Sequence, residues 1–160
     1  MTLRPFGPAD REPLTEFLDS VDLTRSGLDA PTVHLWIEYD TSGAIVGSTG
    51  YELSPDGEHA LIRSVAVAPH ARSRGRGMQL ARFALEHAAA AGATRAWLFS
   101  RRSGPFWQGL GFASADRDEL ARVLADAHQV RLFVESGQLA REVAWSRPLD
   151  PAGPVSGRPS

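Results

Sequence analysis

Cysteine, lysine and asparagine are all absent from this chain of 160 residues, and each absence removes chemistry. Without cysteine there is no disulfide framework, no thiolate metal ligand and no thiol nucleophile. Without lysine the nucleotide P-loop, which ends in Gly-Lys-Ser/Thr, is excluded, and all 17 basic side chains are arginines. The joint loss of lysine and asparagine reads as coding bias and not as a functional signature. Also missing are a charged-then-apolar leader and an unbroken apolar run of about 18 residues, so the expectation is a soluble, cytoplasmic protein with no membrane partner. A net charge of −2 leaves no broad basic excess, which argues against a general nucleic-acid binder. The 5 histidines are scattered, and no metal is expected. With 42% hydrophobic residues the chain can bury one core. It reads as a single domain over residues 1–149 followed by a tail, 150–160, rich in Pro, Gly and Ser and expected to be disordered.

What is present concentrates in Val65-Ala66-Val67-Ala68-Pro69-His70-Ala71-Arg72-Ser73-Arg74-Gly75-Arg76-Gly77-Met78, an apolar strand that runs into an Arg/Gly turn and opens a helix. Backbone N–H groups in the first turn of a helix have no intrahelical acceptor and carry the positive end of the macrodipole, a setting that suits a diphosphate. Gly75 and Gly77 let the backbone approach without a Cβ, and Arg72, Arg74 and Arg76 add forked donors. The order R-x-x-G-x-G is neither the dinucleotide fingerprint G-x-G-x-x-G nor a P-loop. This turn resembles the acetyl-CoA pyrophosphate loop of the GNAT N-acetyltransferase family. A second landmark agrees with it: Phe106-Trp107-Gln108-Gly109-Leu110-Gly111-Phe112 is similar to that family's F-Y-x-x-x-G-F segment.

The resemblance implies an α/β, GNAT-like three-layer fold, with a mixed central β-sheet of about six to seven strands flanked by helices. It also implies acetyl-CoA as co-substrate. The residues that would bind it are Val65, Ala66 and Val67 on a strand, Arg72, Ser73, Arg74, Gly75, Arg76, Gly77 and Met78 in the turn, and Ser100 and Phe106 further on.

Hydrophobic spacing orders the rest of the chain. Thr2 to Phe6 reads as a strand, and Pro8 to Val21 as a helix with Leu14, Phe17, Leu18 and Val21 on one face. Leu23 to Pro31 is a polar loop or a broken helix. Val33 to Tyr39, Ala44 to Leu53 and Glu58 to Ala68 read as strands, joined by turns at Asp40-Thr41-Ser42-Gly43 and Pro55-Asp56-Gly57. Arg76 to Ala91 carries an apolar stripe of Ala81, Ala84, Leu85 and Ala88 and stops at Gly92. Ala96 to Ser100 is a strand, Pro105 to Leu110 a short helix, Asp116 to Ala127 a capped helix and Glu142 to Arg147 a last strand. Trp36, Trp97, Phe99 and Trp145 read as core.

Two charges sit inside these strands. On strict alternation Leu61, Arg63, Val65 and Val67 point one way and Ile62, Ser64, Ala66 and Ala68 the other. Arg63 is either half of a salt bridge or, with Ser64 beside it, a clamp for a carboxylate or phosphinate-like group on the acceptor. Glu52 is either a solvated strand residue or, as the resemblance implies, the catalytic carboxylate that acts as general base or through water. A two-residue turn at Asp56-Gly57 would put Glu52 on the face of Leu61 and Arg63, a three-residue turn on that of Ile62 and Ser64. His59 is another candidate base, with a solvated role as its alternative. Arg101 and Arg102 either reach phosphates or the acceptor or lie on the surface.

The chain departs from the broad family at Trp107, where most members carry a tyrosine proposed as general acid. An indole N–H does not release its proton near neutrality, so Trp107 is expected to act as a wall or donor beside the thioester. A narrower likeness runs through Leu23-Thr24-Arg25-Ser26-Gly27-Leu28-Asp29, Gly50 to Glu52, Leu61 to Val67, and Gly111-Phe112 with Asp116 to Leu120. In order and spacing it is similar to the arsenic-resistance type of GNAT acetyltransferase, which also lacks the tyrosine, and it fails over His128 to Ser146. The function implied is transfer of an acetyl group from acetyl-CoA to a primary amine of a small, amino-acid-like molecule in a ternary complex. No nucleic-acid partner is expected, and a homodimer is left open. The alternative is a non-catalytic acetyl-CoA-binding module built on the same loop.

Overall fold

The computed structural model describes residues 2–72 and 75–150. Ser73, Arg74 and the tail beyond Asp150 lie outside the described residues. The strands are β1 (Arg4–Pro5), β2 (Val33–Tyr39), β3 (Ile45–Leu53), β4 (His59–Val67), β5 (Arg95–Phe99), β6 (Ala113–Ala115) and β7 (Ala144–Pro148). The helices are α1 (Arg11–Ser20), α2 (Arg76–Ala90), α3 (Gly104–Gln108), α4 (Arg117–Val123) and α5 (His128–Ser136). The strands form one 7-stranded mixed sheet in the order β1, β2, β3, β4, β5, β7, β6. The pair β4/β5 is parallel, while β1/β2, β2/β3, β5/β7 and β6/β7 are antiparallel. The chain divides into two compact units, Met1–Glu52 with Ile62–Ala84 and Leu53–Leu61 with Leu85–Ser160.

In the first unit, alternation along β2 sends Val33, Leu35 and Ile37 to one face, where they pack with Leu14, Phe17 and Leu18 of α1. Trp36 points the other way and meets Phe83 of α2 edge-on, with ring centroids 5.1 Å apart, so the two helices cover opposite faces. The helix expected from Pro8 is split: Pro8–Asp10 is a 3₁₀ turn, and α1 proper begins at Arg11. Asp10 accounts for the break. Its carboxylate accepts from Gly7 N at 2.8 Å, from the Tyr39 hydroxyl at 2.7 Å and from Arg4 Nη2 at 3.2 Å, which ties the helix entry to β1 and β2.

The β3–β4 hairpin has the register of a two-residue turn, because Ser54 N donates to the His59 carbonyl at 2.9 Å. At its far end Ala68 N donates to the Val46 carbonyl at 2.9 Å, so β4 uses one residue more than β3 between these two rungs. Ser64, with φ of 62°, is the extra residue of a β-bulge, and Ser48 Oγ donates to its carbonyl at 2.6 Å. The strict alternation expected along β4 therefore stops at Ser64. Arg63 pairs with Glu52, whose neighbour across the β2/β3 ladder is Val33, and Ala66 and Ala68 pack in the Val33 cluster. Arg63, Ala66 and Ala68 thus share a face, and Val65 and Val67 take the other.

In the second unit, His59, Ala60 and Leu61 pair with Arg95, Ala96 and Trp97. Leu61 and Trp97 pack with Leu120, Leu124, Ala127, Val130 and Ala144. Trp97 is buried, whereas Trp36, Phe99 and Trp145 are half-buried. The capped helix expected to Ala127 ends at Val123; its cap is as read, with Asp116 accepting from Asp118 N and Glu119 N. Strand β6 and helix α5 occupy segments where no element was expected. Helix α5 starts after Ala127 with no side-chain cap and stops at Gly137, φ 77°, so only its terminal glycine marks it in the sequence.

Candidate active site

The two charges inside the strands come together. Register alone sets Glu52 opposite Leu61, and the Arg63 guanidinium reaches back so that Nη1 lies 3.5 Å from Glu52 Oε1. Side-chain exposure is 0% for Arg63 and 1% for Glu52, so the pair is removed from water. Thr32, just before β2, donates to Glu52 Oε2 at 3.3 Å, and Arg63 Nε donates to Ser64 Oγ at 3.3 Å. Among the described residues Nη1 and Nη2 of Arg63 have no hydrogen-bond acceptor. Burial pulls this guanidinium below its usual range and the Glu52 carboxylate pushes it back. Arginine still keeps its proton throughout the working pH range, so the site offers a buried cation paired with Glu52 through Nη1, with Nη2 left without a hydrogen-bond partner among the described residues. His59, by contrast, accepts from Trp97 Nε1 through Nδ1 at 3.1 Å and belongs to a packed pair.

Helix α2 begins at Arg76, directly after Gly75 in the left-handed region at φ 86°. A Cβ built on Gly75 would meet nothing within 4 Å, so this position demands glycine for its backbone angle and not for space. The N–H groups of Arg76, Gly77 and Met78 open the helix without intrahelical acceptors, which leaves a cradle suited to phosphate oxygens. The arginines around it are not all free. Arg76 Nη1 donates to Glu38 Oε1 at 2.6 Å, and Arg72 Nε donates to the Val67 carbonyl at 3.3 Å. Val65, Ala66 and Val67 are half-buried on β4.

A third group lies in the second unit. Trp107 is buried at 8% exposure, with Phe106 edge-on at 4.9 Å and Phe112 at 5.4 Å between ring centroids. Ser100 Oγ accepts from Ser103 N at 3.0 Å, which shapes the link into α3. Arg101 is exposed and paired with Glu142, and Arg102 is exposed. Sequence reasoning missed Thr32, Glu38 and Glu142, three side chains that anchor the residues it did single out. Tyr51 is buried, and burial pushes its phenol above the usual range. The other tyrosine, Tyr39, is pushed up by burial and by its bond to Asp10.

A mixed sheet whose fourth strand runs into a glycine turn and an open helix N-terminus sets a cradle for phosphate oxygens at the end of β4. The chain belongs to the acetyltransferase (GNAT) family, whose sequence profile matches residues 3–114. No curated protein matches the sequence. Among solved structures it is similar to an acetyltransferase of the GNAT family from Staphylococcus aureus, with TM-score 0.71 and 14% identity over 93% of this chain and 99% of that one. It is similar also to N-acetylglutamate synthase from Neisseria gonorrhoeae complexed with coenzyme A and N-acetyl-glutamate, with TM-score 0.69 and 19% identity over 92% of this chain and 35% of that one. An aminoglycoside 6′-N-acetyltransferase complexed with coenzyme A gives TM-score 0.65 and 11% identity over 92% of this chain and 97% of that one. The chain spans about a third of the length of the gonococcal synthase. At these identities the likeness is one of fold. No described helix is long and apolar enough to cross a membrane.

Proposed function

We propose that the protein transfers the acetyl group of acetyl-CoA to the primary amine of a small, amino-acid-like molecule whose carboxylate binds Arg63. The observation that carries the acceptor class is the buried guanidinium whose Nη1 meets Glu52 at 3.5 Å and whose Nη2 has no hydrogen-bond partner among the described residues. Idle buried donors are costly, and a carboxylate is the ligand whose geometry matches the arginine fork. The gonococcal synthase, complexed with an acetylated amino acid, supports the same class by analogy. The sequence likeness to the arsenic-resistance type supports a small amine or amino-acid-like acceptor.

In this reading the cradle at Gly75 to Met78 holds the diphosphate, and backbone groups of Val65 to Val67 hold the arm that leads to the thioester. The neutral amine attacks the thioester carbon; the C–N bond forms, the C–S bond breaks and the thiolate leaves. Glu52 receives the amine's proton, directly or through water, while the acceptor's own carboxylate keeps the Arg63 charge balanced. Trp107 packs beside the acetyl group and supplies no proton, so water protonates the thiolate.

A thiol-release assay with acetyl-CoA over a panel of amino acids and simple amines tests this, together with a melting shift on adding CoA. Turnover confined to carboxylate-bearing amines is the expected result, and turnover that ignores the carboxylate removes the Arg63 role. A melting shift with no turnover on any amine selects the binding-module alternative. Gly77→Trp should abolish the CoA-induced shift while the protein stays folded, since an indole would fill the cradle. An unchanged shift would put the cofactor elsewhere.

A further inference from the structure

The stretch Gln138 to Trp145 has no part in the reaction as drawn, yet it holds a buried carboxylate. Glu142 is 6% exposed; its Oε2 accepts from Gln138 Nε2 at 2.7 Å and lies 3.5 Å from Arg101 Nε. Arg117 Nη1 donates to the carbonyls of Ala140 at 2.9 Å and Glu142 at 3.2 Å, which fixes the backbone that carries this carboxylate. Arg101 belongs to the link between β5 and α3, and that link is fastened to the same stretch at further points. Ser100 N donates to the Val143 carbonyl at 2.9 Å, and Trp145 Nε1 donates to the Ser100 carbonyl at 2.9 Å. A Cβ on Gly104, the first residue of α3, would stand 2.9 Å from the Trp145 ring.

We propose that Glu142 is a positioning residue. Through Arg101 it sets the Ser100-to-Ser103 link, and with it the placement of Phe106 and Trp107 beside the thioester. This role rests on the acetyl-transfer reading above. The Glu142 carboxylate is buried and held by Gln138, so it offers the half-exposed Arg101 a fixed anion 3.5 Å from Nε. A displacement of about 1 Å at a reacting group can cost on the order of a hundredfold in rate, so a link held at one edge by this pair matters to turnover.

Arg101→Ala, Arg101→Lys, Glu142→Gln and the Arg101→Ala/Glu142→Gln double variant, made in the full chain, test it through two readouts. One is hydrogen exchange at the Trp145 indole N–H, the other thiol release from acetyl-CoA with the best amine of the panel. Arg101→Ala and Glu142→Gln should each speed indole exchange and lower kcat by about tenfold while KM for acetyl-CoA stays within about twofold. The double variant should be no worse than either single, and Arg101→Lys should keep most of the rate. Arg101 is half-exposed, so its variants fold even if Glu142→Gln does not. Unchanged indole exchange, faster exchange with unchanged kcat, or additive losses in the double variant overturn the proposal. A wild-type protein that releases no thiol with any amine overturns the acetyl-transfer reading first, and the role at the thioester with it.

Discussion

Arg63 and Glu52 are each nearly sealed from water, and neither can be changed alone without stranding the other. Removing one member of a buried ion pair leaves an uncompensated charge, at a cost of about 3–5 kcal/mol, whereas replacing both by groups of similar volume is often neutral. Glu52→Gln, which can keep the Thr32 bond, should therefore lower the unfolding free energy by about that amount in a urea titration, and Glu52→Gln/Arg63→Met should regain most of it. The double variant, folded, should show an acceptor KM raised at least about tenfold with little change for acetyl-CoA. Equal loss towards both substrates would leave the pair with a purely structural role. The two charges were legible in the sequence, because a charge inside an apolar strand is conspicuous. The undecided length of the Asp56-Gly57 turn left the face of Glu52 open and the pairing unread, and Glu52 is buried where a solvated role was the alternative. Thr32 was not legible. A hydroxyl 20 residues from Glu52 in the chain becomes its partner only through the folding of β2 onto β3, and no local pattern announces that.

Strand β4 is shaped by a single residue in an unusual conformation. At φ of 62° Ser64 pays a steric cost that glycine would not, and a β-branched side chain would pay more. Ser64→Gly should stay within about 1 kcal/mol of the parent, because relief of strain offsets loss of the Arg63 Nε bond, while Ser64→Val should cost about 2 kcal/mol or more. Thermal melts of the two variants check the order, and equal stability would remove the bulge from the account. The bulge explains why elements were easier to read than faces. Turns marked by glycine at positive φ, such as Gly43, Gly57 and Gly92, were visible as punctuation. Ser64 carries no such mark, so alternation was carried past it and Ala66 and Ala68 were assigned to the wrong face. The C-terminal elements were hidden for a related reason. The chain bends between α4 and α5 with no glycine or proline at the break, and β6, at three residues, is too short for a period to show.

On the scale of the whole molecule, what the chain lacks governs its response to pH. A general acid for the leaving thiolate would have to hold its proton at neutrality and lose it between about pH 8 and pH 10, the range of cysteine, lysine and tyrosine. The chain contains no cysteine and no lysine, and its 2 tyrosines are Tyr39 and Tyr51. Both are pushed upward, Tyr39 by burial and its bond to the Asp10 carboxylate, Tyr51 by burial. A raised tyrosine stays protonated as the pH passes the unperturbed value, so neither would switch off a reaction within that window. Trp107, which the sequence resemblance sets where most of the family carries a tyrosine, does not titrate at all. The profile of kcat/KM should therefore rise as the amine loses its proton and then stay level to about pH 10. Trp107→Phe should retain most of the rate, since the aromatic wall remains, and Trp107→Ala should lose on the order of a hundredfold by letting the acetyl group shift. The profile should keep its shape in both variants, because the wall contributes packing and no proton. A descending limb below pH 10 that vanishes in Tyr51→Phe would overturn this account and make Tyr51 the acid.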